Sequence, residues 1–430
     1  MKAIISNRIY LNDPGQQHIN KIISELTYKF KKDTGSKHFQ SIETIKNYKL
    51  LPKGIISMPQ GRSDLIPQDW EVIDKRVLVP APFPDPKFRL RPEQLVVYDE
   101  ISDTCFINAL VGWGKTFTAL HLAKKLGQKT LVVTHTAALR DQWAEEVENL
   151  FGMQAGIIGG GLMDWEDHAI TIANVQTLVK HCEQLSREFG TIILDEAHHC
   201  PATTFSQIID TFFARFRVAL SGTMQRKDGK HVIFQDYFGT HVVKPPQSHT
   251  LVPTIRAVNT GIVLKPGATW VNKITHLCGL ENYQKFIAGV AQHEMAEGHQ
   301  VLIIADRVDF LKKVSEYVGE SCVLVTGETG FEERQQIKDQ LLNREKMCIA
   351  GSRQIFSEGI SINSLSCVIL AVPISNDSLL EQVIGRVQRQ HPGKIQPLVV
   401  DLQFSGRADK RQNTARLGFY LRKGWQIETQ

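Results

Sequence analysis

From residue 104 onward, short runs of Val, Ile and Leu alternate with longer stretches whose apolar positions recur every three or four residues. The short runs read as strands buried on both faces, the longer stretches as amphipathic helices. Predicted strands are TCFINAL (104–110), TLVVTH (130–135), AITIAN (169–174), TIILDE (191–196) and FRVALSG (216–222). Predicted helices are KTFTALHLAKKLG (115–127), closed by Gly127, and ALRDQWAEEVENLFG (138–152). The pattern restarts with strands QVLIIAD (300–306), CVLVTG (322–327), MCIAGS (347–352), CVILAV (367–372) and PLVVDL (397–402). Helices such as EERQQIKDQLLN (332–343) fall between them. Such alternation predicts an α/β fold, with two parallel sheets in tandem, each covered on both faces. The first 87 residues differ, with short strands around VIDKRVLV (72–79) and a helix HINKIISELTYKF (18–30). They predict a small α+β unit.

Two proline-rich segments mark the joins. VPAPFPDPKF (79–88) places Pro at 80, 82, 84 and 86, which favours an extended linker, and KPPQSHTLVP (244–253) resembles it. The expected domains are therefore 1–87, 88–247 and 248–430. The net charge of +5 is unevenly spread: residues 1–87 hold 14 Lys and Arg against 9 Asp and Glu, and the remainder balances. Clusters at Lys29, Lys31 and Lys32, and at Lys46, Lys49 and Lys53, suit a nucleic-acid footprint. An ordinary solvated face stays open as the alternative. Seven cysteines without CxxC spacing argue against a disulfide framework or zinc site. No apolar run approaches the ~20 residues that span a bilayer, and MKAIISNRIYLNDPGQQH lacks a secretory core. The expected location is cytoplasmic, with no membrane partner.

ALVGWGKTFTAL (109–120) joins a predicted strand to a predicted helix. It follows the phosphate-loop pattern GxxxxGK[ST], with Ala109 in first place and Gly114, Lys115 and Thr116 closing it. Gly112 and Gly114 let backbone N–H groups turn towards phosphate oxygens, and the helix start adds partial positive charge. Lys115 would reach the β- and γ-phosphates of ATP, and Thr116 would hold Mg²⁺. The ring of Trp113 can point away while its backbone faces the phosphates. TIILDEAHHC (191–200) supplies the acidic partner. Asp195 at the strand's end can orient Mg²⁺ through water, and Glu196 can polarise the attacking water as general base. His198, His199 and Cys200 are too close in sequence to face one ion together. In EQVIGRVQRQ (381–390), Gln382, Arg386 and Arg389 are spaced i, i+4, i+7 and are predicted on one helix face. Two such arginines suit arginine-finger chemistry, worth about 10³–10⁵ in rate. A solvated basic helix is the plain alternative.

In order along residues 88–402, these segments resemble the motifs of a superfamily 2, DEAH-type helicase, which implies two tandem RecA-like lobes. FRLRPEQ (88–94) is similar to the adenine-recognition motif, which assigns Arg91 and Gln94 to the nucleotide. ALVGWGKT resembles motif I, LVVTHTAALRDQW motif Ia, TIANVQTL (171–178) motif Ic, DEAH motif II and SGT motif III. VLIIADRVDFL (301–311) resembles motif IV, FSEGISI (356–362) motif V and QVIGRVQR motif VI, which adds Gly359 and Gln382 to the nucleotide set. The resemblance places Thr136, Gln176, Arg226 and Asp228 against nucleic acid. SGTMQRKDGK (221–230) is similar to the TATPxRED run of the XPB-like branch, with Lys227 in place of the acidic residue. GISIN with IGRV resembles the UvsW-type phage helicases, which remodel branched DNA and place a small basic domain before the first lobe.

The resulting expectation is an ATP-dependent DNA helicase with Mg²⁺, acting without sequence preference on forks and junctions in recombination, repair or replication. It is expected to be monomeric and, if phage-encoded, to work in the host cytoplasm. Three rivals remain: a duplex translocase or RNA helicase of the same superfamily, a phosphate-loop small-molecule kinase, and a nucleotide-gated binding module.

Overall fold

The computed structural model describes the chain apart from residues 33–40, 110–112, 197–201, 223–231, 247–250, 265–268, 353–361, 375 and 430. It divides into two compact units, residues 1–248 and 249–430, the short 111–113 segment set aside.

The first unit is built on an eight-stranded sheet. Its spatial order is Leu162–Met163, Gly156–Gly159, Ile170–Asn174, Thr130–Thr134, Thr191–Leu194, Phe216–Ser221, Cys105–Asn108, Val242–Val243. Neighbours run parallel except the Gly156–Gly159 and Leu162–Met163 hairpin at one edge. The central strands Thr130–Thr134 and Thr191–Leu194 are buried along their whole length, which is why their sequences read as continuous apolar runs. Helix Lys115–Leu126 starts after Gly114 and stops at Gly127, both left-handed.

The N-terminal part of this unit has its own five-stranded sheet, ordered Lys49–Leu51, Ile55–Met58, Ile9–Asn12, Lys2–Ile5, Glu71–Asp74. Ile9, Leu11, Ile22, Leu26 and Ile56 close a separate small core. The helix expected over 18–30 is shorter and earlier, at Gln16–Glu25. Residues Thr27–Lys32 instead pair antiparallel with Ser41–Lys46 as a two-stranded ribbon. The reason is a change of period: Tyr28, Phe30 and Ile45 turn inward against the core of the larger sheet, while Lys29, Thr44 and Lys46 are exposed.

This N-terminal part is bonded to the larger sheet rather than tethered to it. Asp236 accepts hydrogen bonds from Tyr28 Oη (3.0 Å), Asn47 Nδ2 (2.7 Å) and Arg62 Nη1 (3.2 Å). Tyr237 Oη donates to Asn47 Oδ1 at 2.7 Å, and Arg8 pairs with Asp210. Arg217, fully buried, donates through Nη2 to the carbonyls of Asn7, Ile209 and Phe212, and burial pushes its guanidinium down to about 9. The proline segment is likewise fastened: Lys129 N donates to Val79 O (2.6 Å), Ala81 N to Gly127 O (3.1 Å) and Lys87 N to Leu150 O (2.8 Å). The strand expected over 72–79 ends at Asp74, with a lone bridge at Val77.

The second unit is a seven-stranded, all-parallel sheet. Its order is Cys322–Val325, Cys348–Ser352, Val301–Ala305, Cys367–Leu370, Leu398–Gln403, Thr254–Asn259, Gln426–Thr429. The basic C-terminal stretch forms helix Arg407–Arg422, whose buried Phe419 and Tyr420 pack against Trp425 just beyond its end. Arg416 on that helix is buried against Asp401, Nε to Oδ1 at 2.9 Å. Among the described residues the cysteines are free and buried, and no helix is long and apolar enough to cross a membrane.

Candidate active site

Parallel strands end on one side of a sheet, and loops there converge around the strand termini. In the first unit this side gathers Ala109 after Cys105–Asn108, Asp195 after Thr191–Leu194, and Ser221 at the end of Phe216–Ser221. Ala109 N donates to Ser221 O at 3.1 Å, which ties the phosphate-type loop to the neighbouring strand.

Gly114 has φ +97°, a conformation open to glycine but strained for other residues. A Cβ there would land on Gln94 Nε2, with Arg91 Nη2 3.6 Å away. Gln94 is 2% exposed, and its Oε1 accepts from Arg91 N at 3.0 Å. The structure thus brings Arg91, Gln94 and Gly114 together across a gap of twenty residues in sequence. The buried Lys115 donates from Nζ to Ala109 O at 3.1 Å and lies 3.4 Å from Glu196 Oε1. Thr116, on the first turn of the helix, is half-buried.

Asp195 is buried, and each carboxylate oxygen has a donor: Glu196 N to Oδ1 at 3.0 Å and Trp143 Nε1 to Oδ2 at 2.8 Å. Burial first, and then the adjacent Glu196 carboxylate, raise its ionisation to about 6, partly offset by Trp143 and Lys115. Glu196 itself has φ +45°. A non-glycine residue held there stores about 1–3 kcal/mol and is common at functional sites. An ammonium, a hydroxyl on a helix N-terminal turn and two carboxylates form a donor set that fits a nucleoside triphosphate with Mg²⁺. Gln94 fills the space that a side chain at 114 would take.

Beside this site, Thr136 caps helix Ala137–Phe151, its Oγ1 accepting from Leu139 N at 3.2 Å. Exposed Gln176 donates to His135 O at 3.2 Å, so Thr136 and Gln176 share one face. In the second unit, Gln382 and Arg386 are buried, but the predicted single helix face is not formed. Helix Asp377–Gly385 stops at Gly385, and tight bonds follow from Arg386 N to Val383 O (3.2 Å) and Val387 N to Ile384 O (3.0 Å). Arg389 therefore lies beyond the helix, with Nη1 donating to Asn363 Oδ1 at 3.3 Å. Desolvation pushes Arg389 down to about 10 and the neighbouring Lys394 down to about 7. Gly112, Gly359, Arg226 and Asp228 lie outside the described residues, as do His198, His199 and Cys200. Trp143 was not legible as a site residue: helical periodicity marks it as core and carries no information about where its N–H points.

Residues 87–226 match the family model described as "Type III restriction enzyme, res subunit", and residues 281–391 match "Helicase conserved C-terminal domain". "Probable helicase D10" of Escherichia phage T5 is 38% identical over 438 residues, spanning 100% of this chain and 96% of that protein. The chain belongs to helicase superfamily 2. Within the superfamily it is also 28% identical to "ATP-dependent DNA helicase uvsW" of Enterobacteria phage T4, across 69% of this chain and 64% of that one. Among solved structures, S. cerevisiae Dbp5 bound to RNA and ADP BeF3 matches with a TM-score of 0.54 at 11% identity, covering 79% of this chain and 94% of that one. That likeness carries the fold: the two parallel sheets are those of RecA-like helicase lobes. Superfamily membership implies ATP-dependent action on nucleic acid, normally with Mg²⁺.

Proposed function

We propose that this superfamily 2 helicase couples ATP hydrolysis to the remodelling of branched DNA, such as forks and junctions. The observation that carries the ATPase reading is the convergence of Lys115, Glu196 and Asp195 at the strand ends, with Gln94 packed on Gly114. Gln94 and Arg91 take the adenine side. Gly112, Gly114, Lys115 and Thr116 hold the phosphates, with Gly359 and Gln382 completing the nucleotide set. Glu196 draws the proton from the attacking water. Thr116 would hold Mg²⁺ and Asp195 would orient it through water; bound there, the ion would neutralise charge at the phosphate oxygens. Arg386 and Arg389 serve the γ-phosphate from the second lobe.

Nucleic acid is gripped through its backbone, largely without sequence preference and with marked salt dependence. Thr136, Gln176, Arg226 and Asp228 are the proposed contacts on the first lobe. The DNA assignment is supported by the DNA helicase among the relatives, and the exposed lysines of the N-terminal ribbon, Lys29 and Lys46, offer charge for a second DNA arm. A duplex translocase or an RNA helicase is the second reading, since the ATP site is the same in each.

The test is ATPase rate and strand release at fixed salt on single-stranded DNA, linear duplex, a fork, a four-way junction and an RNA duplex. Strong processing of forks and junctions is expected. Stimulation by linear duplex without strand release would favour the translocase, and preference for the RNA duplex would overturn the DNA assignment. Glu196→Gln is expected to bind ATP and lose turnover; parental turnover would remove Glu196 from the role of base.

A further inference from the structure

Trp143 is 1% exposed and sits on helix Ala137–Phe151, whose first residue follows the Thr136 cap. Packing alone would be satisfied by Leu or Phe. An indole adds one N–H that can only donate, and a buried donor left unmade costs about 1–3 kcal/mol. That donor meets Asp195 Oδ2 at 2.8 Å, while Glu196 N meets Oδ1. One donor on each oxygen fixes the carboxylate plane against rotation and leaves further lone-pair sites on both oxygens.

We infer that Trp143 is a positioning residue for the nucleotide–metal site, its indole N–H fixing the Asp195 carboxylate in the orientation that receives the hydrated cation. This rests on the reading that Asp195 serves the metal. It also gives one helix two duties. Thr136 and Trp143 are seven residues apart, about two turns, so the helix that carries a proposed nucleic-acid contact at its start holds the metal carboxylate from its second turn. Trp143 acts through Asp195 and touches no reacting atom.

The test replaces Trp143 with β-(3-benzothienyl)alanine, an isostere in which sulfur stands for the N–H, alongside Trp143→Phe. Mn²⁺ binding in the presence of a non-hydrolysable ATP analogue is read by electron paramagnetic resonance. Binding of the same analogue in EDTA is read by fluorescence, and folding by circular dichroism. Loss of an outer-shell partner typically weakens metal affinity about 10- to 100-fold. That loss is expected for the isostere, with metal-free nucleotide binding and the circular dichroism spectrum unchanged and the melting temperature lowered only by the few degrees that one unmade buried hydrogen bond costs. The isostere keeps the test decisive if the Phe variant fails to fold. Parental Mn²⁺ affinity in the isostere would overturn the positioning role alone. A parent protein showing no nucleotide-dependent Mn²⁺ binding would overturn the role together with the ATP-site reading beneath it.

Discussion

Gly61 offers a direct way to pry the N-terminal part from the first lobe. A Cβ at this position would lie 2.7 Å from the carbonyl oxygens of Asp236 and Gln235 and closer still to Gly239 N. All three obstacles are backbone, so no side-chain rotation relieves them. Gly61→Ala must therefore displace either the turn Gln60–Leu65 or the helix Val232–Phe238. That helix carries Asp236, which collects donors from Tyr28, Asn47 and Arg62. Overpacking of this kind costs about 1–3 kcal/mol, and the strained polar cluster places it near the upper end. For a unit of this size, 3 kcal/mol corresponds to a fall of roughly 6–12 °C in melting temperature. Differential scanning calorimetry of the full chain reads it. Gly289→Ala is the control: it lies in helix Glu281–Ala296 with nothing within 4 Å of an added Cβ. It should be neutral or gain up to about 1 kcal/mol. A Gly61→Ala protein that melts within about 1 °C of the parent would refute the close backbone approach and the bonded docking argued from it.

Other outcomes follow from the same physical reasoning. Gly114→Ala places a side chain at φ +97° and onto Gln94, so ATP affinity by calorimetry should fall about 10-fold or more. Arg416→Met strands Asp401 in the second lobe's core and should cost about 3–5 kcal/mol in urea unfolding, most of it recovered by adding Asp401→Leu. Lys394, pushed down to about 7 when folded, carries more protons unfolded than folded between pH 7 and its ordinary value of about 10.4. Stability should therefore rise with pH across that window in the parent, and Lys394→Met should flatten the rise; equal slopes would contradict the shift.

Much of the architecture could be read from residues alone because parallel strands buried on both faces leave an unambiguous run, as at Thr130–Thr134 and Thr191–Leu194. The strand-to-helix junction at Gly114 was equally legible, since glycine before an apolar-periodic run marks the start of helix Lys115–Leu126. Elements decided by distant contacts were not. Thr27–Lys32 continues the apolar spacing of the preceding helix, and only burial of Tyr28 and Phe30 against the larger sheet selects the strand period. Gln382, Arg386 and Arg389 obey helical spacing, yet the helix ends at Gly385 and the last arginine is aimed by a turn. Short edge strands such as Leu162–Met163 and Val242–Val243 carry too few residues to show any period. The role of Trp143 depends on one N–H direction, which no pattern of residue types encodes.

The proline segment fastened at Val79, Ala81 and Lys87 changes what the N-terminal part can be during stepping. A flexible tether would let a DNA arm diffuse independently, so its grip would enter as a local concentration set by linker length. Here there is no slack to average over. On the proposed reading, an arm held on the Lys29 and Lys46 face would share the first lobe's frame of reference, so a movement of that lobe would carry the arm with it.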